Sequence, residues 1–183
     1  MRNGAVLAVG LCAASLVLLT GCEPTNQAYA PNQPIVYSHA VHAGALKIPC
    51  QYCHYAAERG RFAGIPPAQL CMNCHKQALK DHPEVLKVKN AIEKNEPIRW
   101  VRVHKLADFA NFDHSAHVAK NVACQTCHGP VEQMGRVEQF APLTMGWCVD
   151  CHRKSLPASG AAAGAPNVLV AANRLTDCAV CHH

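Results

Sequence analysis

The chain carries five copies of a Cys-x-x-Cys-His motif, the pattern by which haem c is attached to protein. In this chemistry two thiols add to the vinyl groups of one haem, and the following histidine binds the iron from one side. The ten motif cysteines are Cys50, Cys53, Cys71, Cys74, Cys124, Cys127, Cys148, Cys151, Cys178 and Cys181. The five motif histidines are His54, His75, His128, His152 and His182. The sequence therefore predicts five covalently bound haem c groups, each with a proximal histidine ligand.

Two other roles for paired cysteines fit this pattern less well. A zinc ribbon also pairs Cys-x-x-Cys motifs, but its tetrahedral site does not need a histidine directly after each pair. Structural disulfides would not explain the constant spacing, although an exported chain could form them. Ten of the 12 cysteines belong to the motifs, so the cysteine content is accounted for almost entirely by haem attachment.

Seven further histidines can supply the second, distal ligand of the irons. His39 and His42 form a His-x-x-His pair before the first motif, and His114 and His117 form another before the third. Because side chains three residues apart can reach two different haems, we predict these four histidines as distal ligands. His104, which follows a short apolar extended run, is predicted as the fifth.

The other candidates for iron ligation are less well placed in the sequence. His82 stands at a predicted helix start, which favours a solvated or capping histidine. His183 adjoins the proximal His182, and Met145 precedes the fourth motif. Either could bind the fifth iron; a thioether ligand would raise the reduction potential of its haem, although a lone methionine usually packs against its neighbours.

The motif order predicts a duplicated fold. A unit of His-x-x-His, haem motif, haem motif occurs twice, and the fifth motif is an addition at the C-terminus. Between the units, Asp81 is predicted to cap a helix that has Pro83 in its first turn and runs to about Lys94. Residues 155–173 are rich in alanine, glycine and proline and predict an irregular connection. We expect one compact domain over residues 35–183, mostly irregular with short α-helices, organised around five covalent haems.

The N-terminus has the form of an export signal. Residues 1–21 have a charged start and an apolar body, and they end in a Leu-Thr-Gly-Cys sequence that resembles a bacterial lipoprotein signal. This predicts cleavage before Cys22, lipidation of Cys22 and a polar membrane tether over residues 22–34. An uncleaved membrane helix is the alternative, but the apolar run is just short of a full span. In both cases the haem domain would lie at the periplasmic face of the cytoplasmic membrane.

Composition and ligand supply together indicate an electron carrier. The formal charge of +5 does not indicate nucleic-acid binding, because the haem propionates would make the holoprotein acidic. A catalytic haem usually keeps an open iron position, whereas this chain has enough histidines to fill both faces of every iron. No constellation of nucleophile and base residues suggests other chemistry, so no enzymatic activity is predicted for the chain itself.

The residues that link the motifs resemble one family closely. The chain is similar to the pentahaem cytochrome c component of bacterial alternative complex III, a class III or c7-like multihaem cytochrome, over about residues 35–155 and by position at the last motif. Ala107, where proline is expected, and the lipoprotein signal, in place of a transmembrane anchor, depart from the family. The segments that carry the resemblance are residues 37–44, 50–54, 63–66, 71–76, 97–104, 112–118, 124–130 and 145–153.

This resemblance implies an electron-transfer component of a membrane complex that oxidises quinol. Its partners would be an iron–sulfur subunit, other cytochrome subunits and a polysulfide-reductase-like membrane subunit, with a downstream cytochrome c or terminal oxidase as acceptor. The alternatives are a membrane-anchored periplasmic electron shuttle and a quinol dehydrogenase partner of a reductase. A multihaem reductase enzyme is a further rival, which an open high-spin haem in the oxidised protein would reveal.

Overall fold

The computed structural model describes residues 25–155 and 175–183. Most helices are short, since the chain turns at each haem motif. Within the described residues no strand occurs, and no helix is long and apolar enough to cross a membrane. The α-helices are α1 (Cys50–Cys53), α2 (Ala68–His75), α3 (Pro83–Glu93), α4 (His114–Val118), α5 (Gln125–His128) and α6 (Met145–Lys154). A π-helix spans Ala40–Ala45, and 3-10 helices span Tyr55–Glu58, Val131–Gln133 and Cys178–Val180.

Helix α3 has Pro83 in its first turn, as predicted, but its cap is different. His82, rather than the predicted Asp81, is the N-cap residue, and its Nδ1 accepts a hydrogen bond from the Glu84 backbone N–H. Pro83 occupies the first helical position, where its missing N–H costs nothing. The helix buries Val85 and Val88, which is the core contact expected of its apolar stripe.

The apolar core of the polypeptide is small. Among the described residues, the buried hydrophobic side chains are Ile35, Ala57, Val85, Val88 and Ala141. Large apolar side chains such as Phe62 and Phe109, each 73% exposed, lie at the surface of the polypeptide. A chain of this size normally needs more buried apolar area for independent stability, so bound haems would have to supply much of the missing apolar volume.

The stretch predicted as a membrane tether contacts the domain in its described part. The Gln33 side chain makes two hydrogen bonds to the backbone of Val101, at 2.8 and 2.9 Å. The Asn26 amide donates to the Val103 carbonyl at 3.1 Å. These contacts hold the extended segment around residues 101–103. Its backbone groups bond to amide side chains, as they would to a neighbouring strand in a sheet. The predicted signal peptide, Cys22 and nearly all of the connection over residues 155–173 lie outside the described residues.

Gln139 is the fully buried polar residue at the centre of these contacts. Its backbone bonds to Ala28 and Tyr29, at 2.8 and 3.0 Å. Its Oε1 accepts from the Lys105 backbone N–H at 3.0 Å, and its Nε2 donates to the Ala141 carbonyl at 3.2 Å. Gln139 thereby joins the N-terminal segment through its backbone, and the segment that follows His104 to the approach to the fourth motif through its side chain.

Replacing Gln139 with leucine should destabilise the holoprotein substantially. The change leaves the partly buried Lys105 N–H and the buried Ala141 carbonyl without their side-chain partner, which should lower the free energy of unfolding by about 2 kcal/mol. Denaturant unfolding followed by circular dichroism measures this loss. Gln51→Leu is the matched control, because Gln51 is exposed and its side chain lies a full 3.5 Å from its Glu58 partner; equal stability of the two variants would contradict the role given to Gln139.

At two glycines a neighbouring group lies so close to the backbone that there is no room for a Cβ atom. Gly129, directly after the third motif, has a φ of 69°, and a Cβ there would overlap the Phe140 ring. A Cβ at Gly44 would overlap the Glu132 carbonyl group, where the π-helix packs on the Val131–Gln133 turn. A larger residue at position 129 would displace the Phe140 ring, and one at position 44 would push the π-helix away from the Val131–Gln133 turn.

Candidate haem iron sites

The five motifs lie on or beside short helical turns, and their cysteines are all free thiols. Cysteines three residues apart on a helical turn project from the same side, as two thioether bonds to one haem require. We number the sites by their motif histidines: site one has His54, site two His75, site three His128, site four His152 and site five His182. Across residues 25–155 and 175–183, no group of three or more His, Cys, Asp and Glu side chains could hold a free metal ion.

In the first unit, both histidines of the His-x-x-His pair face a motif histidine. The His39 and His54 ring centroids are 6.5 Å apart, with ring planes only 6° from parallel. The His42 and His75 centroids are 6.1 Å apart, with planes inclined at 60°. The first histidine of the pair thus faces site one, and the second faces site two.

The second unit has the same pairing. The His114 and His128 centroids are 6.3 Å apart with planes inclined at 11°. The His117 and His152 centroids are 6.1 Å apart with planes inclined at 27°. The first histidine again faces the nearer motif and the second the farther one.

These four separations fit an iron bound between two imidazoles. A metal–imidazole bond is about 2 Å long, so two such bonds and the two ring radii separate the centroids by about 6 Å. Direct ring contact would bring the centroids closer, as for the aromatic contacts of 4.4–4.8 Å that flank them. The chain therefore holds four pairs of imidazoles at the separation that an iron between them requires.

Hydrogen bonds set the tautomers of most motif histidines. A carbonyl can only accept, so an Nδ1 bonded to a carbonyl carries the proton and leaves the Nε2 lone pair for a metal. The His54 Nδ1 donates to Gly64 at 2.7 Å, and the His75 Nδ1 donates to Ala78 at 2.9 Å. The His152 Nδ1 donates to Leu175 at 2.6 Å, and the His182 Nδ1 donates to Phe109 at 3.0 Å.

The facing histidines have similar bonds. The His42 Nδ1 donates to the Ser38 carbonyl and the His117 Nδ1 to the Asp113 carbonyl, each at 2.8 Å and each four residues back. The His114 Nδ1 donates to the Arg61 carbonyl at 2.6 Å. The His39 Nδ1 differs, because it is buried without a hydrogen-bond partner. Sequence analysis missed these carbonyl partners, since any residue type can supply a backbone carbonyl.

An aromatic ring orients each His-x-x-His pair. Tyr37 contacts His39 edge-on at 4.8 Å and stacks on His42 at 4.4 Å. Phe112 contacts His114 edge-on at 4.8 Å and stacks on His117 at 4.5 Å. The ring replaces solvent around the imidazoles and keeps the two side chains of a pair divergent, toward two different sites.

Burial keeps two of these imidazoles neutral. The pKa of His39 is lowered to about 4 by burial, and further by the neighbouring His54 and His42. The pKa of His128 is lowered to about 4 by burial, and further by His104 and His114. A neutral imidazole is the form that binds a metal, so near pH 7 both rings are ready for ligation without losing a proton.

Two of the remaining histidines have other contacts. The His82 Nδ1 accepts from a backbone N–H, so its proton lies on Nε2, the opposite tautomer to that of the motif histidines; this agrees with the capping role predicted for it. His104, predicted as a distal ligand, lies against a motif histidine. Its Nε2 is 3.1 Å from the His128 Nδ1, and the two rings meet edge-on at 4.3 Å.

Site five is arranged differently from the other four. The ring beside His182 is Phe109, whose centroid is 5.7 Å away with a plane inclined at 30°. The described residues include every histidine of the chain, and none of them faces His182. The His183 Nδ1 lies 3.2 Å from the Ala179 carbonyl, and Met145 is 72% exposed.

Comparison with known proteins supports the haem chemistry. Residues 110–183, which hold the last three motifs, match the family described as cytochrome c7 and related cytochrome c. The chain is also 27% identical over 171 residues to the multiheme cytochrome c subunit of menaquinone reductase from Nitratidesulfovibrio vulgaris. That match covers 82% of this chain and 76% of the relative.

Proposed function

We propose that this c7-like multihaem electron-transfer cytochrome binds five haem c groups and relays electrons within a membrane-bound, quinone-linked respiratory complex. The observation that carries the proposal is the set of four facing histidine pairs, with centroids 6.1–6.5 Å apart. Most of these rings have Nδ1 bonded to a carbonyl, which leaves Nε2 for iron. The separation shared by the four pairs is the one that an iron between two imidazoles requires.

For sites one to four, the proposed distal ligands are His39, His42, His114 and His117, in that order. For site five the geometry supports no histidine ligand from this chain. His104 acquires a different role in this proposal, because its contact is with Nδ1 of His128 and not with a metal-binding nitrogen. There it fixes the orientation of the proximal ring of site three, as second-layer hydrogen bonds to metal-bound histidines commonly do.

Haem bound at these sites would supply reversible one-electron chemistry at iron. The chain's own residues hold these imidazoles in place, so that a bound iron would keep the same two ligands in both oxidation states. Backbone carbonyls fix the rotation of the rings, and Tyr37 and Phe112 limit their movement. Two histidine ligands would also exclude substrate from the iron, which suits electron transfer at sites one to four.

The finer proposal is that the complex is alternative complex III, in which the cytochrome carries electrons away from quinol. It rests on the segments linking the motifs, from residues 37–44 to residues 145–153. The partners would be an iron–sulfur protein, further cytochrome subunits and a polysulfide-reductase-like membrane subunit. Lipidation at Cys22 would keep the domain at the periplasmic face of the membrane, where a cytochrome c or terminal oxidase accepts the electrons.

A menaquinone reductase is the second candidate, because the relative from Nitratidesulfovibrio vulgaris belongs to such a complex. There electrons would pass through the cytochrome toward the quinone. The two candidates therefore share the haem chemistry and differ in the direction of electron flow.

Purification from native membranes tests the proposal. The protein, tagged behind a flexible C-terminal linker, should copurify with an iron–sulfur protein and a polysulfide-reductase-like membrane protein. Quinol oxidation coupled to cytochrome c reduction would establish alternative complex III, whereas menaquinone reduction by a reduced cytochrome would establish the second candidate. Recovery of the pentahaem protein alone would contradict both and indicate an anchored shuttle; a tagged unrelated membrane lipoprotein controls for nonspecific capture.

A further inference from the structure

We propose that Asn111 is a positioning residue of site five, where it aligns the last haem motif with the Phe109 carbonyl that holds the His182 ring. This role rests on the proposed function, because it concerns a haem that the last motif would bind. Site five depends on such a residue more than the other sites do, since none of the histidines, all of which the structure describes, faces His182.

Asn111 and Phe109 bond to three consecutive residues at the end of the last motif. The Asn111 backbone N–H donates to the Cys181 carbonyl, and its side-chain Nδ2 donates to the His183 carbonyl, each at 2.7 Å. Between these two bonds, the His182 Nδ1 donates to the Phe109 carbonyl at 3.0 Å. The residues on both sides of the motif histidine are therefore held by Asn111.

The last motif has little local structure to hold it in place. Its helical part, Cys178–Val180, is a single 3-10 turn that buries no residue. The bond from the His183 Nδ1 to the Ala179 carbonyl stays within the same turn. Because a single 3-10 turn is only weakly stable, the position of His182 depends on contacts with distant parts of the chain, such as those with Asn111.

The two side-chain partners of Asn111 require an amide at this position. The Arg61 guanidinium donates to the Asn111 Oδ1, while the His183 carbonyl accepts from the Nδ2. A guanidinium can only donate and a carbonyl can only accept, so the side chain between them must accept at one atom and donate at another. A carboxylate would satisfy Arg61 alone, and an aliphatic side chain would satisfy neither partner.

Arg61 connects this amide to a well-held part of the domain. Its backbone carbonyl accepts from the His114 Nδ1 at 2.6 Å, and His114 is the ring that faces site three. On the other side of Asn111, the adjacent Phe112 stacks on His117, which faces site four, at 4.5 Å. The residues that orient the distal histidines of sites three and four therefore also fix Asn111, which in turn holds the last motif.

The bond between His182 and Phe109 bears on the redox chemistry of site five. An imidazole whose Nδ1 donates to a carbonyl is a more basic ligand, and a more basic ligand stabilises ferric over ferrous iron. In Asn111→Ala the bonds to Arg61 and His183 are lost, so the motif should move from the Phe109 carbonyl and weaken the His182 bond. The reduction potential of the site five haem should then rise, and the bond between its iron and His182 should weaken.

Resonance Raman spectroscopy of the reduced holoprotein tests this role. A ferrous haem with one histidine ligand shows an iron–histidine stretching band that a haem with two histidines does not, so the band should report on site five alone. Asn111→Ala should shift this band to lower frequency and raise the potential of one haem in a redox titration. Asn111→Asp should shift the band in the same direction, because it retains the bond to Arg61 but loses the donor to His183.

Asn32→Ala is the matched control, because Asn32 also accepts from an arginine, Arg136 at 2.9 Å, in a bond that involves no haem motif. It should leave the band and all potentials unchanged. If Asn111→Ala does not retain its fifth haem, Arg61→Leu decides the question, since it removes the same amide's acceptor bond and should also lower the band frequency.

An unchanged band and unchanged potentials in the Asn111 and Arg61 variants would overturn the role given to Asn111. A wild-type protein with five haems but no iron–histidine band would overturn it as well, because His182 would then not be the single histidine ligand of site five. A wild-type haem count below five would instead contradict the proposed function.

Discussion

Replacing His117 with alanine should convert one haem, that of site four, from low-spin to high-spin while leaving sites one to three low-spin. The His117 ring faces His152 at 6.1 Å, and its Nδ1 is bonded to the Asp113 carbonyl. Removing this ring leaves the iron with His152 alone or with a weakly bound water, and both states favour high spin. Because site five should already be high-spin in the wild-type protein, electron paramagnetic resonance of the oxidised variant should show the high-spin signal near g = 6, an approximate position for axial ferric haem, at about twice its wild-type intensity.

His82→Ala is the matched control for this experiment. The structure gives His82 a capping role at α3, so the change should lower the stability by about 1 kcal/mol and leave every haem spectrum unchanged. An unchanged spectrum for His117→Ala would remove His117 from the ligands. A spectral change in His82→Ala would show that His82 affects a haem in the holoprotein and does not act only as the cap of α3.

The reduced wild-type protein should bind carbon monoxide at site five and at no other haem. Sites one to four each have a histidine facing the motif histidine, whereas His182 has the Phe109 ring beside it. An iron with one strong ligand takes up carbon monoxide readily, and an iron with two histidines does not. A difference spectrum between the reduced and the carbon-monoxide-treated protein should therefore correspond to about one ligand per chain.

The Cys178→Ala/Cys181→Ala variant provides the control, because loss of the site five haem should abolish carbon monoxide binding. If the wild-type protein binds none and all its haems are low-spin, the arrangement inferred for site five is wrong. His104→Ala, His183→Ala and Met145→Ala would then identify the sixth ligand, since one of them would create a binding site.

The sequence was most informative where ligand chemistry imposes a fixed spacing. The motif cysteines and histidines are recognisable because haem attachment tolerates little variation. The two His-x-x-His pairs, including His39 and His114, were recognisable because they recur at similar distances before a motif. The structure gives both pairs the same facing arrangement, which the sequence suggested only through the divergence of side chains three residues apart.

Contacts distant in sequence could not be predicted in the same way. His104 stands in an apolar segment that suited a distal ligand, but its position is set by Lys105, whose backbone N–H is held by Gln139, and by the His128 ring. Asp81 is a better capping residue than histidine by general preference, yet Pro83 fixed the helix start and placed His82 at the cap. The contacts of residues 25–34 depend on amide side chains that find their partners only after folding.

Burial raises the pKa of the Cys124 thiol, and the nearby Cys50 thiol raises it further; this proximity has a consequence for biosynthesis. Both thiols are exposed and free in the polypeptide, and an oxidising compartment would favour a bond between them before haem is attached. Such a bond would link the first repeated unit to the second and block haem attachment at sites one and three together. In such a compartment, maturation would require that one of these two thiols receives its haem, or is kept reduced, before the two units come into contact.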